Sequence, residues 1–194
     1  MLIQNEINQL DSMYPSASVM LDNVEHTLPD YARWASIYGY SFGNSTISIG
    51  DQTHPLSAGQ YFSFFVGDNQ PTIRCDNKLF LVVRLGYKCQ NTTGWVESKG
   101  RLSYIDGCTD SLLIYPPRQG DPSLNLLHFP PGIEQTKHLH PSIRMGCVIA
   151  GEGVSDVWTN GNVVSNNLVT GGHFCLEENE QHRFRTDGSS MTVI

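Results

Sequence analysis

Turn-forming residues interrupt this chain so regularly that a long helix cannot persist through most of it. Eighteen glycines, ten prolines and many Asn, Asp and Ser residues separate short apolar or β-branched runs. The runs recur at intervals of about 8 to 12 residues, the spacing of short antiparallel strands joined by turns. Strands are predicted over 33–42, 45–49, 61–65, 79–85, 111–115, 123–129, 134–140, 145–150, 154–159, 174–177, 182–185 and 191–194. A helix is predicted at 5–13, where Ile3, Ile7 and Leu10 fall at helical spacing. The expected fold class is all-β: a sandwich, jelly roll or barrel.

Charge and composition exclude several functions. The 194 residues carry a formal net charge of -7 with histidines neutral and have no run of Lys or Arg, so the basic footprint that phosphate recognition needs is missing. No nucleic-acid partner is expected. The opening residues lack the basic start and apolar run of a secretory signal, and no stretch approaches the roughly 20 apolar residues of a membrane span. Cys75, Cys89, Cys108, Cys147 and Cys175 are odd in number and form no C-x-x-C pair, which fits reduced thiols. These features predict a soluble, cytoplasmic chain without a membrane partner, in which the sequons at Asn44 and Asn91 carry no meaning.

Two segments echo each other. LSAGQYFSF at 56–64 and LVTGGHFCL at 168–176 share L-x-x-G-x-x-F and a further apolar or aromatic residue two places on. They suggest two related halves. The turn-rich stretch 88–110 is expected to join them, and 116–122, with three prolines, reads as a restrained loop. The partition expected is an N-terminal β region at 1–121, with extra strands or a degenerate second half, and a C-terminal barrel at 122–194, together forming one compact unit.

The segment KHLHPSIRMG at 137–146 carries the chemistry. In an extended chain, side chains two apart share a face at roughly 6.6 Å, so His138 and His140 can grip one ion. A helix would send the two rings to different sides. Pro130 and Pro131 block a helix from upstream, and Pro141 with Ser142 can form the turn that returns Arg144 beside the pair. Glu134 shares their parity but lies about 13 Å from His138 along an extended strand, too far for the same ion.

The spacing around these histidines resembles the first motif of the cupin superfamily: a glycine, five residues, H-x-H, three or four residues, usually a glutamate, six residues and a glycine. This chain reads Gly132, IEQTK, His138-Leu139-His140, PSI, Arg144, MGCVIA, Gly151. The second cupin motif is matched at Gly171 and His182, while Glu177, Asn179 and Thr186 stand where proline, glycine and asparagine are usual. The resemblance covers about 122–194 and implies a double-stranded β-helix barrel in which His138, His140 and His182 bind one divalent transition metal. Three neutral imidazoles suit Fe, Ni, Zn, Mn or Cu. Cupins commonly pair through sheet edges, which implies a homodimer.

Arg144 occupies the glutamate position, and a guanidinium has no lone pair for a cation. A three-histidine centre with open positions follows. Arg144 then either anchors the carboxylate or phosphate of a substrate or forms a structural ion pair with an acid such as Glu177. Further readings concern single residues. His26, His54 and His128 read as structural, His173 as facing the cavity or solvent, and Cys147 and Cys175 as small core residues. The function implied is a metal-dependent enzyme acting on a small anionic metabolite, with dioxygenase-type oxidation first and isomerase or lyase chemistry second. The alternative is a non-catalytic metal- or metabolite-binding cupin with a sensor or structural role, and an N-terminal protein-docking surface is a third reading.

Overall fold

The computed structural model describes residues 15–23 and 25–194. The helix expected at 5–13 lies outside them. Seventeen strands run through the described residues: β1 Ser16–Asp22, β2 Glu25–Thr27, β3 Ser36–Ser41, β4 Ser45–Ile49, β5 Gln52–Leu56, β6 Gln60–Phe65, β7 Thr72–Cys75, β8 Lys78–Arg84, β9 Thr92–Trp95, β10 Leu102–Ser103, β11 Thr109–Ile114, β12 Leu124–Phe129, β13 Arg144–Thr159, β14 Asn162–Val169, β15 His173–Leu176, β16 His182–Arg185 and β17 Met191–Val193. Helical structure among them is confined to two short 3-10 turns, Asp30–Ala32 and Ile105–Gly107. No helix among the described residues is long and apolar enough to cross a membrane.

The chain divides into two compact units between Val96 and Glu97. The N-terminal unit stacks a five-stranded sheet of order β1-β8-β3-β6-β9 and a four-stranded sheet of order β2-β7-β4-β5. β4 shows the expected alternation, with Ser45, Ile47 and Ile49 buried and Thr46 and Ser48 half-buried. β8 lies between β1 and β3, and its apolar run LFLVV suits a strand covered on both faces. Ile37, Ile47, Phe62, Ile73, Leu79 and Leu81 form the centre of a core drawn from both sheets. Each such side chain contributes about 1.5–3 kcal/mol on full burial. β5 contains Pro55, which an edge strand tolerates.

The C-terminal unit is built on a sheet of order β10-β11-β12-β17-β13-β14. Its backbone is β13, which pairs in turn with β15, β17, β16 and β14. The sequence predicts two strands here, 145–150 and 154–159, with a glycine turn between them. The structure has one strand of 16 residues. Gly151 sits at φ +75 with a bulge just before it, and a Cβ there would lie 1.9 Å from the Ser190 carbonyl oxygen. The glycine therefore lets the strand bend against β17 without leaving its ladder.

Three other expectations change. The stretch 134–140 is extended but is not a strand, pairing only through bridges at Glu134 and His138. The Thr136 amide donates to the Asp106 carboxylate instead of to a ladder. The presumed joining stretch contains β9, which pairs with β6, and β10, which pairs with β11. β10 and β11, placed by the expected partition in the N-terminal region, belong to the C-terminal unit because β11 pairs along β12.

The internal echo has a structural counterpart. Its first copy runs from the end of β5 into β6 and its second from the end of β14 into β15. Gly59 and Gly171 hold the equivalent turns at φ +89 and +84, and Phe62 and Phe174 are buried beyond them. All five cysteines are buried, as expected for small side chains packed in cores.

Candidate metal centre

β16 presents His182 inward. Its burial alternates, with His182 and Phe184 buried and Arg183 and Arg185 half-buried. Opposite His182 stands Val157 of the core. On the other face the buried Asp156 carboxylate accepts from Ser165 Oγ at 2.6 Å, Arg183 Nε at 2.9 Å and Arg185 Nε at 3.2 Å. Burial opposes ionisation of Asp156, but these hydrogen bonds outweigh it and hold the carboxyl below its ordinary pKa. This ionic clamp fastens β16 to β13.

His138 reaches the same place through the backbone. Its N–H donates to the His182 carbonyl at 3.0 Å, and the His182 N–H returns the bond at 2.9 Å. Residues paired in this way put their side chains on one face. The third ring, His140, is steadied by its carbonyl, which accepts from the Asn179 N–H at 2.8 Å. Ring centroids stand 4.5 Å apart for His138 and His182, and 5.1 Å for His140 with either partner. One ring nitrogen from each lies within 4.8 Å of the others.

The second nitrogens orient the rings. His138 Nδ1 lies 2.8 Å from the Thr136 carbonyl oxygen and His182 Nδ1 lies 2.8 Å from that of Glu180. A carbonyl only accepts, so Nδ1 carries a proton, and in the neutral tautomer the lone pair is on Nε2. Buried His182 Nε2 has no hydrogen-bond partner, and such an acceptor carries a desolvation cost unless something binds it. Burial, followed by the positive field of Arg144 and the neighbouring imidazoles, lowers the His140 pKa to about 4. Burial also lowers that of His182. Neutral, oriented imidazoles with unshared lone pairs fit a transition metal.

The departures from the second motif have local substitutes. Asn179 adopts φ +58, the left-handed conformation usual for glycine, in the turn between β15 and β16. Thr186 Oγ1 donates to the Pro130 carbonyl at 2.5 Å and accepts from the Ile133 N–H at 3.1 Å.

Arg144 opens β13, opposite Leu176. Its Nη1 donates to Ser142 Oγ at 2.9 Å, and no carboxylate of the described residues lies within ion-pair distance of it. The expected structural pair with Glu177 is not formed. Instead Arg144 lines a cavity of about 300 Å³ together with His140 and His182. The same space is bordered by Tyr104 and Asp110, which come from the stretch read as joining turns and from β11. The available sequence signal was Asp110 alternating with Leu112 and Ile114, a charge on an otherwise apolar stripe. Burial and then the field of Asp110 push the Tyr104 phenol above its ordinary pKa, while Arg144 acts in the opposite sense.

The other singled-out residues stand apart. His128 Nδ1 bonds Thr192 Oγ1 at 2.9 Å, and His54 stacks on Phe64 with centroids 4.2 Å apart. His26 pairs with Ile73 in the N-terminal unit. His173 faces Cys147 across the β13–β15 ladder and is not one of the clustered histidines.

No family model and no curated protein sequence matches the chain. Solved structures do. A cupin 2 conserved barrel domain protein from Leptotrichia buccalis is similar with TM-score 0.60 and 18% identity, over 100% of this chain and 86% of that one. Protein Ylba from E. coli gives TM-score 0.63 and 16% identity, over 93% and 76%. Oxalate decarboxylase from Bacillus subtilis, a protein with Mn(II) centres, gives TM-score 0.57 and 12% identity, over 93% and 67%. At these identities the likeness concerns the fold alone: the chain is similar in fold to cupin barrel structures, in agreement with its all-β strand order.

Proposed function

We propose that His138, His140 and His182 hold one divalent transition metal, and that Arg144 anchors the anionic group of a small-molecule substrate beside it. The supporting observation is the convergence of three imidazoles whose Nδ1 atoms, at His138 and His182, are committed to backbone carbonyls, leaving buried His182 Nε2 without a protein partner. A bound transition metal supplies a Lewis acid or, where redox-active, a route for electrons to molecular oxygen.

The chain's own groups bind and orient. The Arg144 guanidinium, free of any acidic partner among the described residues, offers a bidentate fork to a carboxylate. Leu127, Phe174 and Phe184 line the cavity with apolar surface, which strengthens that ionic contact. A volume of about 300 Å³ sits at the lower end of small-molecule sites. The substrate is therefore a small organic acid. Among the described residues no carboxylate joins the histidine cluster; more than one position is then open to ligands, which favours oxidation by molecular oxygen first and isomerase or lyase chemistry second. Likeness to oxalate decarboxylase supports a carboxylate substrate and includes Mn among the candidate metals.

The test is a turnover screen of metal-replete protein against small carboxylic acids, following oxygen consumption and carbon dioxide release. Turnover of at least one acid, lost in His182→Ala, is expected. A protein that binds metal stoichiometrically yet neither consumes oxygen nor transforms any acid supports the non-catalytic reading instead.

A further inference from the structure

Asp110 faces the interior of the C-terminal unit. Directly paired residues share a face, and the register runs from Asp110 of β11 to Leu127 of β12 and on to Val193 of β17, a buried core residue. Two places along, Asn125 pairs with Leu112 on the same face. Asp110 thus borders the cavity that also holds Arg144, His140 and His182.

Its charge has weak internal compensation. The Asn125 amide is 3.3 and 3.4 Å from the two carboxylate oxygens, and no Lys, Arg or His of the described residues lies within ion-pair distance. Arg144 is equally without an acidic partner. The two do not pair with each other, although the Tyr104 phenol, which lines the same cavity, feels the fields of both. An unneutralised anion and an unneutralised cation therefore border one small space with apolar walls. Water reaches both groups, Arg144 being exposed and Asp110 half-buried, and one ligand can meet both only if it carries the opposite charges itself.

We propose that this cavity takes a small dipolar ligand, an amino-carboxylate whose carboxylate meets Arg144 and whose protonated amine meets Asp110. The inference rests on the reading of Arg144 as the carboxylate anchor. Asp110 selects amine-bearing acids over acids of the same length without the amine, and Asn125 holds its carboxylate toward the space. The cavity volume limits the ligand to amino-acid size and excludes a nucleotide.

Calorimetric titration with matched probes tests it: alanine against propionate, γ-aminobutyrate against butyrate, and ε-aminocaproate against caproate. In the wild-type protein at least one amine-bearing probe is expected to bind about tenfold or more tightly than its partner, the size of a charged hydrogen bond. Asp110→Asn is expected to cancel that preference while leaving the plain acid within about twofold. Equal affinities, or no binding, within every wild-type pair overturns the proposal whether or not the variant folds; so does a preference that survives in folded Asp110→Asn. Metal content is measured on the same samples. An amine preference in protein that takes up no metal faults the three-histidine reading alone, and stoichiometric metal without the preference faults the dipolar ligand alone.

Discussion

His138 and His182 exchange both backbone hydrogen bonds, at 3.0 and 2.9 Å, although they come from distant parts of the chain. This bridge sets their rings 4.5 Å apart and on one face before any ligand is bound. The centre is thus assembled by main-chain pairing, with His140 carried in two residues later. A substitution of either ring leaves the bridge itself intact, so loss of metal in such a variant reports on the imidazole.

The guanidinium of Arg144 gives the second prediction. Arg144→Met is expected to weaken malonate and succinate binding to the metal-loaded protein by about tenfold or more, and Arg144→Lys to recover part of the loss, because an ammonium keeps the charge without the planar fork. Calorimetry measures both. Unchanged affinity in Arg144→Met removes the anchor.

Acid weakens the metal-free fold through His140 and His182. Burial, then Arg144 and the other two rings, lowers His140 from 6.5 to about 4, and burial lowers His182 in the same direction. The unfolded chain accepts these protons near 6.5 while the folded chain resists them until about 4 at His140. Between those values the unfolded state binds more protons, so this stability is full above 6.5 and is lost as pH falls toward 4. Urea midpoints of metal-free protein at several pH values should fall across that window, and His140→Gln should flatten the slope. A slope unaltered by that substitution contradicts the assignment.

Asp156 predicts a purely structural effect. Its side chain is 3% exposed and accepts from Arg183 and Arg185, which are 26% and 29% exposed. Asp156→Ala removes the clamp on β16, leaving the partly buried Arg185 without its acid and Arg183 with Glu134 alone. The expected loss is about 2–4 kcal/mol in equilibrium unfolding. A shift within experimental error places the restraint of β16 elsewhere.

How far these features were legible follows from how local their causes are. His138 and His140 are readable as a pair because alternation in an extended chain operates within three residues. His182 is readable through its spacing from Gly171 in the second motif. The strand expected at 134–140 is absent because a distant partner decides the matter: Asp106 takes the Thr136 amide that a ladder would have used. Likewise Tyr104 was not legible as a cavity residue, and Asp110 only as a charge at the head of an apolar stripe. Their stretch looks like turns until β10 and β11 find β12, and nothing within the stretch specifies that pairing.

Gly151 shows the same limit, since glycine marks both turns and bends. At φ +75, with the Ser190 carbonyl 1.9 Å from where a Cβ would stand, Gly151→Ala must displace backbone. A loss of at least about 2 kcal/mol is expected from strain and displaced pairing. An unchanged urea midpoint contradicts the bend.

The central claim is that three imidazoles bind one ion. Elemental analysis of the chain, isolated without added metal and then again after equilibration with divalent transition metals and removal of excess, measures it directly. The expected result is about one ion per wild-type chain and none in His140→Ala. Wild-type protein that remains metal-free after equilibration, or a His140→Ala variant that retains the full complement, contradicts it.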